Sequence, residues 1–306
     1  MSIKRLRDDL AKTDRLILAM ERRGLIPRMS DEEYIRRMWR VKMDYPLDLE
    51  NPKTFNEKLQ WLKLHDRRPE YTTMVDKVKA KEYVAGIIGE EHIIPTLGEW
   101  DDPNEIDFDA LPNQFVLKCN HNSGLGMCIC KDKSKLDIEK VKAELRKGLK
   151  QDYYLTFREW PYKKVARKIL AEQYLEDKTQ NNGLIDYKFF CFNGEPKLLF
   201  VATERFSEGG TKEDFFDLEW NYLHLTEIPC AHSEMKIEKP HNLSAMILFS
   251  KKLSVGIPHI RVDFYEIGGK IYFGELTFAN AAGFCRYEPR NWDYMMGDWL
   301  ELPRKI

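Results

Sequence analysis

Between residues 259 and 277 apolar and polar positions alternate with period two, the pattern of strands with one buried face. Val262 and Phe264 alternate with Arg261 and Asp263, and Gly268 and Gly269 supply a turn. The return strand sets Tyr272, Gly274 and Leu276 against Phe273, Glu275 and Thr277. Further strands are predicted over 114–119, 127–131, 168–175, 187–193 and 197–203. Helical spacing governs residues 1–45, where Ile3, Leu6, Leu10, Ile17 and Met20 recur on one face. Thr54 caps a helix over 55–64 with Glu57 at the capping-box position. Helices are also predicted over 73–88, 136–150 and 243–255. A proline-bearing segment at 44–53 and an acidic loop at 99–112 punctuate the chain. The result is an α+β protein with antiparallel hairpins and no internal repeat. The GxGxxG turn of a dinucleotide fold is absent.

Composition narrows the class. A chain of 306 residues buries about three quarters of its unfolded surface, enough for a large core. Hydrophobic content of 43% and charged content of 32% suit a soluble globular protein. A net charge of -1 gives no footprint for nucleic acid. Apolar runs such as 198–202 are too short to cross a bilayer, and the amino terminus has no apolar signal core, so the cytoplasm is expected. Six cysteines fit that compartment as reduced thiols. Cys128 and Cys130 are spaced too tightly for a zinc knuckle and read as core residues. The first helical stretch could lie on a membrane surface, but packing on its own domain is the favoured reading.

Chemistry enters at three places. If the hairpin turn holds an odd number of residues centred on Gly269, Asp263 faces Glu275, and like charges so placed repel unless a cation is shared. A two-residue turn would put the two acids on opposite faces, and the sequence leaves this open. Lys118 sits in an apolar strand and needs a partner if buried. The turn after it, Asn120-His-Asn-Ser-Gly-Leu-Gly126, can bring backbone amides to an anion, although it is not a P-loop. The strand end Glu172-Gln-Tyr-Leu175 could meet an adenine edge with backbone groups. Together a lysine, a glycine-rich turn and two carboxylates point to a magnesium-bound nucleotide.

The order of these parts resembles the ATP-grasp superfamily. The segments Thr54-Phe-Asn-Glu-Lys-Leu-Gln-Trp-Leu, Asp186-Tyr-Lys-Phe-Phe-Cys-Phe-Asn-Gly, Arg261-Val-Asp-Phe and Gly274-Glu-Leu-Thr-Phe look more narrowly like its TupA-like branch, named for teichuronopeptide biosynthesis. The likeness covers roughly residues 40–303. It implies a nucleotide held between two α+β subdomains, 71–175 and 176–306, behind a helical region at 1–70. It makes Lys77 and Lys118 phosphate lysines, and Ser123, Gly124 and Gly126 a loop over the phosphates. It makes Glu172, Gln173, Tyr174 and Leu175 the adenine contacts, and Lys188 a basic residue near the phosphates, with Asp186 near the ribose. It makes Asp263 and Glu275 magnesium ligands and Arg261 a contact to phosphate or acyl phosphate. Lys118, Lys188 and Arg261 are the catalytic candidates. Thr277 stands where the superfamily has an asparagine ligand, and Asn280 could supply an oxygen instead.

The implied cofactors are ATP and Mg2+. The implied activity is ligation of an amino acid to a uronic-acid carboxyl of a cell-surface polysaccharide, through an acyl phosphate. A homodimer and peripheral association with glycan-assembly machinery are further implications. Trp160, Tyr162, Trp220, Tyr222, Tyr287, Trp292 and Trp299 could stack on sugars, although packing is the commoner role of each. Arg205, Arg286 and Arg290 could pair with carboxylates. The rivals are a kinase on the same fold, a glycosyltransferase using Asp107-Phe-Asp109, and a non-catalytic binding protein.

Overall fold

The computed structural model of the protein describes residues 3–177, 183–205 and 207–304. The side chains of Ile3 and Leu6 lie outside the described residues. The chain opens with α1 (Ile3–Arg22), α2 (Asp31–Lys42), α3 (Phe55–His65), α4 (Glu70–Val75) and α5 (Lys79–Ile88). Then come β1 (Thr96–Trp100), β2 (Phe115–Cys119), β3 (Met127–Cys130), α6 (Ile138–Lys150), α7 (Tyr154–Phe157) and β4 (Ile169–Gln173). The remainder is β5 (Asp186–Phe192), β6 (Glu195–Thr203), β7 (Lys212–Asp217), β8 (Tyr222–Leu223), β9 (Thr226–Ile228), α8 (Leu243–Ser254), β10 (His259–Ile267), β11 (Lys270–Thr277), β12 (Arg286–Glu288) and α9 (Asn291–Trp299). The fold is α+β, as expected.

Two larger sheets organise it. One has the order β1-β4-β2-β3, the other β11-β10-β5-β6-β7-β8, and β12 pairs with β9. The six-stranded sheet is covered on both faces. Phe189, Leu199, Val201, Val262 and Phe264 pack toward α5 and α8. Phe190, Phe192, Leu198, Phe200 and Phe215 pack toward α3 and α9. Successive residues of a strand point to opposite faces, so β5 is buried along its whole length. The four-stranded sheet has one core face, where Phe115, Leu117, Ile169 and Ala171 meet Val141 and Leu145 of α6. The N-terminal helices pack on the body of the molecule through Tyr34, Met38 and Trp39 with Phe284. This agrees with the packing reading of that region.

Local signals explain the entry to α3. Thr54 accepts from the Glu57 amide at 3.2 Å and Glu57 accepts from the Thr54 amide at 3.0 Å, the anticipated capping box. Asp293 of α9 then accepts from both the amide and the side chain of Asn56, fixing α3 against α9.

Two expectations are corrected. The helix expected over 73–88 is two helices, because Asp76 turns its side chain to the amide of Val78 and to Asn120. The amide of Lys77 then donates to the Asn120 carbonyl, so the break ties Lys77 to the turn after β2. The acidic loop begins as a strand, β1, whose residues pair with β4. Strands β7, β8, β9 and β12 and helix α9 were not anticipated; β7 reads Lys-Glu-Asp-Phe-Phe-Asp, too charged for its pattern to show.

Candidate functional site

The outer face of the four-stranded sheet carries charge. Val116 pairs with Glu172, and Lys118 with Leu170, so Lys118 and Glu172 share the face opposite the α6 core. Glu172 is 5% exposed. It is held between the ammonium groups of Lys118 and of Lys81, the latter at 2.7 Å. Burial pushes the Glu172 carboxyl up, but the two lysines outweigh it and hold it below its ordinary value. Lys81 also donates to the Ile94 carbonyl and the Thr96 hydroxyl. Lys77 donates to the Asn122 carbonyl at 2.7 Å, and burial lowers its pKa.

The six-stranded sheet supplies the facing wall. Along one of its faces, Phe190 and Phe192 lie under Phe55 of α3. Farther along the same face the residues become Lys188, Arg261, Asp263, Glu275 and Thr277. Asp263 pairs with Lys188 on one side and Glu275 on the other; Arg261 pairs with Thr277. The turn has two residues, Gly268 and Gly269, since Ile267 pairs with Lys270. That turn alone would separate the two acids. A bulge between Asp263 and Phe264 inserts Gly274 into β11 and restores Asp263 opposite Glu275. A Cβ at position 274 would lie 3.1 Å from the Asp263 carbonyl oxygen, so glycine suits the bulge.

Arg261 fastens this wall. Its guanidinium donates to both oxygens of Asp263 at 2.8 and 2.7 Å, to Glu275 at 3.0 Å, to Thr277 at 3.1 Å and to Asn280 at 2.7 Å. Lys188 donates to Asp263 as well. Glu275 is the exposed member, with 39% of its side chain open at the mouth. Burial would raise its carboxyl, but Lys188, Lys77, Arg261 and Lys118 together draw it down to about 2.

The two walls enclose a cleft of about 730 Å³, within the size range of small-molecule sites. It is lined by Lys77, Lys118, Ser123, Gly124, Glu172, Gln173, Tyr174 and Leu175 from one side. Lys188, Asp263 and Glu275 line the other, with Arg205, which pairs with Asp186 at 2.9 Å. A recess sharing Lys77, Lys118, Glu172 and Glu275 adds Lys81 and Tyr162.

A family model described as TupA-like ATPgrasp matches residues 57–301. The chain belongs to the TupA-like ATP-grasp family. That family is the one the order of parts in the sequence resembles. Among solved structures the chain is similar to D-alanine–D-alanine ligase from Bacillus anthracis complexed with ATP, at 17% identity over 67% of this chain and 54% of that one, with a TM-score of 0.39. It is also similar to D-alanine–D-alanine ligase from Helicobacter pylori, at 13% identity over 81% and 69%, with a TM-score of 0.43. N5-carboxyaminoimidazole ribonucleotide synthetase from Thermus thermophilus matches at 12% identity over 67% and 45%, with a TM-score of 0.39. The chain thus spans about half the length of the Bacillus anthracis ligase. No curated protein matches the chain.

In this TupA-like ATP-grasp chain the donor set of the large sheet fits a magnesium ion shared with phosphate. Among the described residues no group of three or more histidine, cysteine, aspartate or glutamate side chains could hold a metal. Asp263 and Glu275 stand directly opposite, with the Thr277 hydroxyl beside them. Mg2+ is commonly held by one or two carboxylates together with substrate phosphates. Arg261 and Lys188 occupy the Asp263 oxygens, so a metal there displaces one of those bonds.

Several anticipated residues lie elsewhere. Gly126 is not at the cleft: it packs against α6, where an added Cβ would come within 2.9 Å of the Gly148 Cα. Asp107 and Asp109 are exposed, and Asp107 accepts from the amides of Asp109 and Ala110. Neither is among the residues lining the cleft, which leaves the glycosyltransferase reading without a site. Of the aromatics, Tyr162 reaches the recess, whereas Tyr287 is buried, Trp220 stacks on Phe216 at 4.3 Å, and Trp299 packs on Phe192. Arg290 lies over the Tyr45 ring at 4.0 Å. Lys81 was missed; its only sequence signal was a position four residues after Lys77, one helical turn along.

Proposed function

We propose that this protein is an ATP-dependent carboxylate–amine ligase that joins an amino acid to a uronic-acid carboxyl of a cell-surface polysaccharide or its precursor. One observation carries the reading: Lys77 and Lys118 open onto the same cleft as Asp263 and Glu275. On this reading residues 71–175 and 176–306 are the two nucleotide-holding subdomains, residues 1–70 support them, and the protein works in the cytoplasm. Among the described residues no helix is long and apolar enough to cross a membrane.

The residues divide the work by charge. Lys77 and Lys118 neutralise phosphate oxygens, and the backbone at Ser123 and Gly124 closes over them. Glu172 orients Lys118 and Lys81 while meeting the adenine amino group, and Gln173, Tyr174 and Leu175 offer backbone and side-chain contacts to the base. Asp263 and Glu275, with Thr277 beside them, would hold Mg2+, which supplies positive charge between the phosphates when bound. Arg261, released from part of its carboxylate clamp, meets the acyl phosphate and the oxyanion formed from it. Lys188 donates to Asp263 and adds charge at the γ-phosphate. In the first step a substrate carboxylate oxygen bonds to the γ-phosphorus as the bridging oxygen leaves with ADP. In the second an amine bonds to the acyl carbon as phosphate departs.

The test incubates the purified protein with ATP, Mg2+, uronic-acid saccharides and an amino-acid panel, following ADP, free phosphate and product mass. Equal amounts of ADP, phosphate and an amide are expected. Phosphate retained on the sugar would make the protein a kinase, and ATP left unconsumed across the panel would overturn the reading.

A further inference from the structure

Glu172 is flanked from both neighbouring strands. It stands opposite Thr96 of β1 on one side and Val116 of β2 on the other, and Lys118 lies two residues beyond Val116 on the same face. Lys118 reaches one carboxylate oxygen from the β2 side. Lys81 reaches the other at 2.7 Å from the β1 side, where it also donates to the Ile94 carbonyl at 2.7 Å and the Thr96 hydroxyl at 3.0 Å. These bonds fix the Lys81 ammonium in the recess beside the cleft. Lys118 lines both spaces, whereas Lys81 lines the recess and not the cleft.

One carboxylate cannot neutralise two ammonium groups. Glu275, the other acid lining the recess, is held by Arg261 at 3.0 Å. Lys118 and Glu172 alone would form a neutral pair, which offers a phosphate little Coulomb attraction. With Lys81 on the second oxygen the trio carries one unmatched positive charge, and Lys118 is its cationic member at the cleft. A buried carboxylate stripped of its partner is costly. Lys118 therefore turns toward a phosphate only while another cation holds Glu172. The two ammonium groups sense each other: burial lowers the pKa of Lys81, Glu172 pulls it back up, and the like charge of Lys118 adds to the lowering.

We infer that Lys81 is a positioning residue for ATP: it holds Glu172 so that Lys118 keeps its charge for the phosphates. Lys81 itself touches no phosphate and acts through the carboxylate it shares. The inference rests on the reading of Lys118 as a phosphate contact. It makes the phosphate wall a joint product of α5, which carries Lys81, and of β1, β4 and β2, which carry Thr96, Glu172 and Lys118.

Calorimetric binding of ATP with Mg2+, and of adenosine, tests this, because adenosine keeps the base and lacks the phosphates. Lys81→Met should weaken ATP at least about tenfold, as removal of a desolvated charge partner does, and leave adenosine within about twofold of wild type. Lys81→Arg, which keeps the charge, should recover most of the lost ATP affinity. In a Glu172→Gln background Lys118 needs no second cation, so adding Lys81→Met should cost ATP less than about threefold. Should Lys81→Met fail to fold, Lys81→Gln, which keeps a donor for the Ile94 carbonyl, takes its place in the same cycle. The inference is overturned if the Lys81 substitution costs ATP equally in both backgrounds, or if ATP and adenosine weaken together. Lys118→Ala that binds ATP as tightly as wild type removes the phosphate reading of this wall, and the role of Lys81 with it. Lys118→Ala that weakens ATP beside a Lys81→Met that does not removes the role of Lys81 alone.

Discussion

On the four-stranded sheet one carboxylate, Glu172, answers the ammonium groups of Lys81 and Lys118, with Lys77 close by. On the six-stranded sheet Asp186, Asp263 and Glu275 stand against Lys188, Arg205 and Arg261. The first wall carries surplus positive charge, and the second is balanced but rich in hard oxygen donors. A polyphosphate suits the first, and a divalent cation bridging to that polyphosphate suits the second. The walls also differ in rigidity. Asp263 is 1% exposed and tied on both oxygens, whereas Lys118 keeps 21% of its side chain open.

That contrast orders the expected effects of change. Asp263→Ala should be the most damaging, because it leaves Arg261 and Lys188 buried without their shared acceptor. The loss should reach about 3–5 kcal/mol in urea unfolding, and ATP turnover should disappear. Unfolding unchanged within experimental error would contradict the tight-wall description. Lys118→Ala should cost less stability, about 1.5–3 kcal/mol, because Lys81 still holds Glu172. Its main effect should be weaker ATP binding, measured by calorimetry; a stability loss equal to that of Asp263→Ala would erase the difference between the walls.

Acid should act on both. Glu172 and Glu275 have folded-state values below the unfolded one, so their stabilising contribution is complete above an unfolded glutamate pKa of about 4.3. It is lost as pH falls through the folded values, which for Glu275 is about 2. Melting temperature should therefore drop between about pH 4 and pH 2, and Glu275→Gln should flatten part of that drop. Its half-open setting lets water screen the effect. The smallest change is expected from Arg205→Ala. Its pairing with Asp186 leaves 48% of the arginine side chain exposed, so unfolding should shift by less than about 1 kcal/mol.

The parts of the site read from the sequence were those written locally. Lys118, the glycine-bearing turn and the alternation around Asp263 and Glu275 each fit within one hairpin or strand, and the structure brings them to one cleft. The α3 cap was legible for the same reason. What escaped depends on neighbours far along the chain. Lys81 finds Glu172 because β4 lies between β1 and β2. Arg261 bridges Asp263 and Glu275 because three strands agree in register. The break at Asp76 answers to Asn120, 44 residues later. Gly126 carried the signature of an anion loop, yet its place is set by contact with Gly148, a pairing that spacing cannot announce.

The spare residue at Gly274 has one more consequence. With a two-residue tip, the strand needs that extra position to set its acids side by side; with a three-residue tip, it would need none. Deleting Gly274 would leave Ile267 opposite Lys270 and Asp263 opposite Glu275 across an unkinked ladder, whereas straightening the kink with Gly274 kept would turn Phe273 and Ile271 out of the core.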